Sequence, residues 1–177
     1  KTKNIVIRAV KEEFGLILDA DGLTSFEKNP KQLFDLLKKR KKRGNVILTP
    51  HEGEFNRLFN FGNMDKIAKT RKASDMTNST ILYKGNDTVI SSPKKISLIS
   101  KESSSFLSTA GSGDILAGIC GGLIAQGMKS HDAAAASSWL HNEIGLEAGA
   151  GLIAEDMSNF LSKIMSEKLK SIYQKFN

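Results

Sequence analysis

Three short apolar runs, each closed by polar residues, set the strongest limit on how this chain folds. They are "GLILDAD" (residues 15–21), "NVILTP" (residues 45–50) and "TILYKG" (residues 80–85). Each is too short for a helix and lacks the alternation of a half-exposed strand, so each reads as a strand buried on both faces. Between them the pattern is helical. Residues 30–40 gather Leu33, Phe34, Leu36 and Leu37 on one side, and helices follow over residues 52–60 and 65–76. Residues 5–13 read as a helix, although "NIVIRAV" also permits a strand. "TVISSP" and "ISLIS" suggest a hairpin or edge pair, with further helices over residues 112–126, 131–148 and 154–176. Strands alternating with helices predict an α/β fold, a mainly parallel sheet flanked by helices, in a single domain over residues 1–177.

In such a sheet, ligands bind beyond the carboxyl ends of the strands. The unusual polar groups fall there: "LDADGL", "LTPHEGEF" and "YKGNDT" close the three runs. A fourth loop is "FLSTAGSGDILAGICGGLIAQG" (residues 106–127). Gly111 and Gly113 permit positive φ and close approach of a ligand to the backbone. The free N–H groups that follow make an anion site at a helix N-terminus. A carboxylate is disfavoured beside a phosphate, so Asp114 needs a reason. One is general-base catalysis, taking a proton from a hydroxyl that attacks a phosphoryl group. The other is a helix cap. Gly118, Gly121 and Gly122 cost helix propensity, and close packing against the sheet would explain them.

Composition narrows the class. The chain has 177 residues, 40% hydrophobic and 25% charged, which reads as globular. No apolar run reaches the length of a membrane span, and the start carries no signal-peptide pattern. The net charge of +7 is clustered in "KKRKKR" (residues 38–43) and again over residues 163–175. The first run ends a helix, where cations suit the dipole, and no aromatic platform interleaves with it as single-strand binders require. A solvated helix end is therefore expected rather than a nucleic-acid surface. Cys120 is the only cysteine. No internal disulfide can form, a reducing cytoplasm fits, and a small core residue is expected.

"STAGSGDILAGICGGLIAQG" resembles the signature of ribokinase-like ATP-dependent kinases. Together with "LDADGL", "LTPHEGEFNRL", "YKGNDTVI" and "GAGLIAEDM", in that order along nearly the whole chain, it resembles the ADP/ATP-dependent NAD(P)H-hydrate dehydratases. The resemblance implies a three-layer ribokinase-like fold and a repair reaction. Hydrated NADH or NADPH is dehydrated at the expense of ADP or ATP, through phosphorylation of the ring hydroxyl and loss of phosphate, with Mg2+. Asp114 would activate the hydroxyl and contact the hydrate. His51 would contact the hydrated dinucleotide, unless it only caps the next helix. Lys84, Gly85, Asn86, Asp87 and Thr88 would bind the adenine nucleotide, with the backbone of Gly111, Ser112 and Gly113, although "KGND" alone is also a plain turn. Glu54 would hold Mg2+ through water or cap the helix after it. Asp19 and Asp21 are expected to play supporting roles, and His141, beside Trp139 and Leu140, a packing role.

The chain begins with Lys1 rather than Met, which reads as a fragment or processed product. The resemblance implies a family domain that begins roughly one hundred residues earlier, on a scale typical of larger α/β domains, so this sequence is expected to represent the C-terminal part of that domain. An exposed sheet edge is expected, together with a homo-oligomer or a complementing N-terminal chain. The rival readings are a ribokinase-like kinase for a small molecule such as a vitamin precursor, and a non-catalytic remnant or subunit.

Overall fold

The computed structural model describes residues 1–40, 45–100 and 104–176. Its core is a five-stranded sheet in the order β1 (Leu16–Leu18), β2 (Val46–Leu48), β3 (Thr80–Tyr83), β4 (Thr88–Ser91), β5 (Leu98–Ser100). β1, β2 and β3 are parallel, and β4 and β5 follow as antiparallel neighbours, so β4 alone runs against the other four. The three apolar runs form the parallel strands, and the last two segments form the expected edge pair.

Helices cover both faces. On one lie α1 (Thr2–Lys11), α2 (Asp21–Thr24), α3 (Pro30–Lys38), α4 (Glu52–Leu58) and α5 (Lys66–Thr77), around a core that includes Val10, Leu23, Phe26, Leu33, Leu48, Phe55 and Ile81. On the other, α6 (Ser112–Ala125) and α7 (Ser130–Ala148) pack on Ile47, Leu82 and Ile90. A third cluster, with Ile119, Ile144, Leu152 and Met157, docks α8 (Met157–Phe176) outside them. Residues 5–13, open to two readings, lie mostly in α1: Val6 and Val10, four apart, share its buried side. No described helix is long and apolar enough to cross a membrane. Cys120 is fully buried, and that burial pushes its thiol up to about 11.

Two expectations need correcting. Gly118 and Gly122 do not pack on the sheet: a Cβ at either would meet nothing within 4 Å, while Gly121 alone faces Ile17. The other two line an apolar groove between α6 and α8. The basic run is not uniformly solvated either. Arg40 is only 6% exposed. Its Nη2 donates to the carbonyl of Glu12 at 2.9 Å and to that of Phe14, tying the end of α3 to the α1–β1 link. Residues 41–43 of the run lie outside the described residues. In the second basic group, Lys163 pairs with Glu147 and Lys168 lies over Trp139, so both serve the α7–α8 contact. The β1 flank is an edge in this chain, bordered by Phe14, Gly15 and the Gly121–Ile124 side of α6.

Candidate active site

The site forms where β1, β2 and β3 end. After β1 the backbone turns at Ala20 with φ 46° and ψ −123°, a conformation that favours glycine. The preceding Asp19 pairs with Lys84, which follows β3, at 2.9 Å between Oδ1 and Nζ. Both side chains are mostly buried, and Glu54 Oε2 stands 3.9 Å from the same ammonium. Asp19 thus holds a lysine that three sequence-distant strands bring to the centre.

After β2, His51 and Glu54 form a reciprocal cap on α4. His51 Nδ1 accepts from the backbone N–H of Gly53 at 3.0 Å and of Glu54 at 3.4 Å, and Glu54 Oε2 accepts from the His51 N–H at 2.9 Å. With Nδ1 accepting, the neutral ring carries its proton on Nε2. The cap does not exhaust the histidine, which remains exposed and lines the crevice beside Lys84. Both open readings of His51 and Glu54 therefore keep their capping half as a fact.

Lys84, Gly85, Asn86 and Thr88 line one wall of a crevice of about 940 Å3, and Ser112, Gly113 and His141 line the opposite side. A Cβ on Gly113 would lie 3.4 Å from Lys84 Nζ, so the glycine turn and the lysine nearly touch. Gly111, the residue before α6, has φ 83°, and a Cβ there would lie 2.9 Å from the Cβ of Ala154. It sits behind the crevice, where its lack of a side chain lets "GLIAED" pack. His141 Nε2 lies 2.9 Å from both the hydroxyl and the carbonyl of Ser112, fixing the first residue of α6. Burial lowers its pKa, so the ring is neutral at pH 7 and donates to the carbonyl. A further wall comes from residues 104–109, held by the Ser104 N–H on Asn142 Oδ1 at 2.7 Å. Gly145 permits that contact, since a Cβ would meet Ser104 and Leu107 within 3.0 Å.

Asp114 is not part of this wall. It is exposed in the first turn of α6, caps nothing, and opens onto the neighbouring α6–α8 groove with Ile115, Gly118 and Gly122. Asp87 points away from the crevice, toward a second pocket of about 560 Å3 on the far side of the β3–β4 turn. Lys66 meets it there at 2.9 Å and holds its carboxyl below the usual range. Sequence reasoning missed Lys66, Asn142, Gly145 and the part of the wall that precedes residue 106. Only the first turn of α5, with Asp65 before it as a cap, offered any signal for Lys66.

For Mg2+ the protein supplies little. Glu54 Oε2 is taken by the His51 N–H, and Asp19 by Lys84. No three His, Cys, Asp or Glu side chains gather as a metal site among the described residues. These side chains do not form a protein cage for the ion.

A mainly parallel sheet with helices on both faces, whose strand ends carry a lysine loop facing a glycine turn at a helix start, has the ribokinase-like fold. Residues 1–167 match the NAD(P)H-hydrate dehydratase family, and the chain belongs to it. It is 38% identical over 154 residues to the bifunctional NAD(P)H-hydrate repair enzyme of Synechocystis, covering 82% of this chain and 29% of that protein. It is 35% identical over 147 residues to the ADP-dependent (S)-NAD(P)H-hydrate dehydratase of Neisseria meningitidis, covering 78% and 48%. Among solved structures, the ADP/ATP-dependent NAD(P)H-hydrate dehydratase of Bacillus subtilis, co-crystallised with ATP and Mg2+ and soaked with CoA, superposes with a TM-score of 0.78 at 25% identity, over 93% of this chain and 60% of that one. The chain thus spans about a third to a half of these curated relatives.

Proposed function

We propose that this chain carries the nucleotide-binding part of an ADP- or ATP-dependent NAD(P)H-hydrate dehydratase. One observation supports it above the rest: the Lys84–Thr88 loop and the Ser112–Gly113 turn face each other across one crevice, next to an exposed carboxylate. In this reading the adenine nucleotide lies in the crevice. Its terminal phosphate meets the N–H groups at the start of α6, where the helix dipole favours anions, and Lys84 adds a point charge. The Lys84–Asp19 pair loosens as phosphate competes for the ammonium.

Asp114 then takes the proton of the ring hydroxyl as that oxygen attacks the terminal phosphoryl group. ATP leaves as ADP, or ADP as AMP. The ring nitrogen lone pair expels the phosphate as the C–O bond breaks, and the adjacent ring carbon gives up a proton to water, restoring NAD(P)H. His51 presents its exposed edge to the dinucleotide. Mg2+ would come to the site with the nucleotide and neutralise phosphate charge there, a role that asks for few protein ligands.

The groove at Asp114 and the free β1 edge lie on one side of α6, and we assign to that side a complementing segment or a second chain that encloses the hydrate. The test is calorimetric titration with ADP and ATP, followed by a nucleotide-soaked crystal. Phosphates between Lys84 and Gly113 are expected, and phosphates remote from both would refute the assignment. A second assay, with an inert sugar or vitamin precursor in place of the hydrate, separates this reading from a small-molecule kinase by looking for a stable phosphorylated product.

A further inference from the structure

Lys66 is unusually well held for a lysine. Its ammonium donates to the carbonyls of Lys84 (3.4 Å) and Asp87 and to Asp87 Oδ1 (2.9 Å), so it grips both ends of the turn that joins β3 to β4. It also lies 4.7 Å from the centroid of the Tyr83 ring, which stacks on Phe55 at 4.2 Å. The base of the side chain is fixed as well, because α5 is capped by Asp65, whose Oδ1 accepts from the Ala68 N–H at 2.8 Å. The ammonium fills the room in which a side chain on Gly85 would sit: a Cβ there would lie 2.5 Å from Nζ and 3.8 Å from Cε.

We propose that Lys66 is a positioning residue that ties residues 84–88 into the shape that receives the adenine nucleotide, and that position 85 is glycine to admit its ammonium. The inference rests on the nucleotide assignment made above. Charge-assisted hydrogen bonds are stronger than neutral ones, and a lysine already ordered before binding leaves less entropy to lose when the nucleotide arrives. The atom that an alanine at 85 would strike is the end of a flexible side chain, and Gly85 also has φ 159°, so Gly85→Ala both displaces the lysine and strains the backbone of the turn. Losing the lysine and adding the methyl are then two routes to the same loosened turn.

The test compares the full chain with Lys66→Met, Gly85→Ala and the double variant. ADP affinity is measured by calorimetry, and amide exchange across residues 84–88 is measured without nucleotide. Each single change is expected to weaken ADP about tenfold, as expected if the binding-competent turn falls to a minor population. The double variant should be no weaker than Gly85→Ala alone, because that change has already removed the tie. Exchange at residues 84–88 should rise in all three while the sheet core stays protected. Single effects that multiply to about a hundredfold, or exchange unchanged in Lys66→Met, would overturn the tie. Asp87→Asn separates positioning from direct phosphate contact: it should weaken ADP, and tightening, from a lysine freed to meet phosphate, would also overturn the proposal. Absence of ADP binding in the unaltered chain would instead overturn the nucleotide assignment and with it the purpose given to the tie.

Discussion

Two glycines in one turn, Gly111 and Gly113, should fail for different reasons when changed to alanine. Gly111 has φ 83°, and its added Cβ would stand 2.9 Å from the Cβ of Ala154, an atom bonded directly to backbone that cannot swing aside. An alanine in that left-handed region costs roughly 1–2 kcal/mol, and forced overpacking about 1–3 kcal/mol more. The sum, about 2–5 kcal/mol, corresponds to a fall in Tm of roughly 4–20 °C at about 2–4 °C per kcal/mol for a chain of this size. Gly113 is helical, and its Cβ would meet only the tip of Lys84 at 3.4 Å and Asp19 Oδ2 at 3.9 Å. Alanine there gains up to about 1 kcal/mol of helix propensity, so Tm should hold or rise, while the methyl intrudes on the crevice and weakens ADP by tenfold or more, about 1.4 kcal/mol or above. Thermal melts and ADP titrations of both variants are the assay. A Gly111→Ala protein that melts with the unaltered chain would refute the packing argument. A Gly113→Ala protein with full ADP affinity would refute the placement of phosphate at this turn.

Asp114→Asn should leave the fold intact, since the side chain is exposed and caps nothing and only a helix-dipole contribution of about 0.3–1 kcal/mol is at stake. With a completing chain supplied, turnover should fall on the order of 10²–10⁴, and unchanged turnover would end its role as base. Cys120 has its pKa raised to about 11 by burial, so the folded state keeps a proton that the unfolded state loses. Its stability contribution is intact below pH 9 and declines, by about 3 kcal/mol in all, as pH rises through 11; a Cys120→Ala variant lacking this alkaline slope in chemical denaturation would confirm the source, and an identical slope would not. Arg40→Met should lower stability by about 1–3 kcal/mol, because the carbonyls of Glu12 and Phe14 lose their donor, and urea denaturation would show it.

Local pattern carried the fold well. The parallel strands, the helices between them and the edge pair are all written in apolar periodicity and turn residues, and the family motifs lie in their expected loops. What pattern missed are contacts between distant segments. Nothing local in "DKIAKT" says that Lys66 reaches across to the β3–β4 turn. Gly118 and Gly122 look like sheet-packing glycines until α8 is placed beside them, and Arg40 looks solvated until α1 and β1 close over it. The "HEGE" spacing told more than it seemed to, since a side chain three residues ahead of a glutamate is also the pattern of a reciprocal cap.

This chain is proposed to contribute nucleotide-driven dehydration of hydrated NAD(P)H. The most direct test is to mix the chain, alone and with a family N-terminal segment, with hydrated NADH, ADP or ATP and Mg2+, and to follow the absorbance of restored NADH. The expected result is recovery that requires the nucleotide, is strongest with the completing segment and is lost in Asp114→Asn. No recovery in either mixture, with the nucleotide bound but unconsumed, would contradict it.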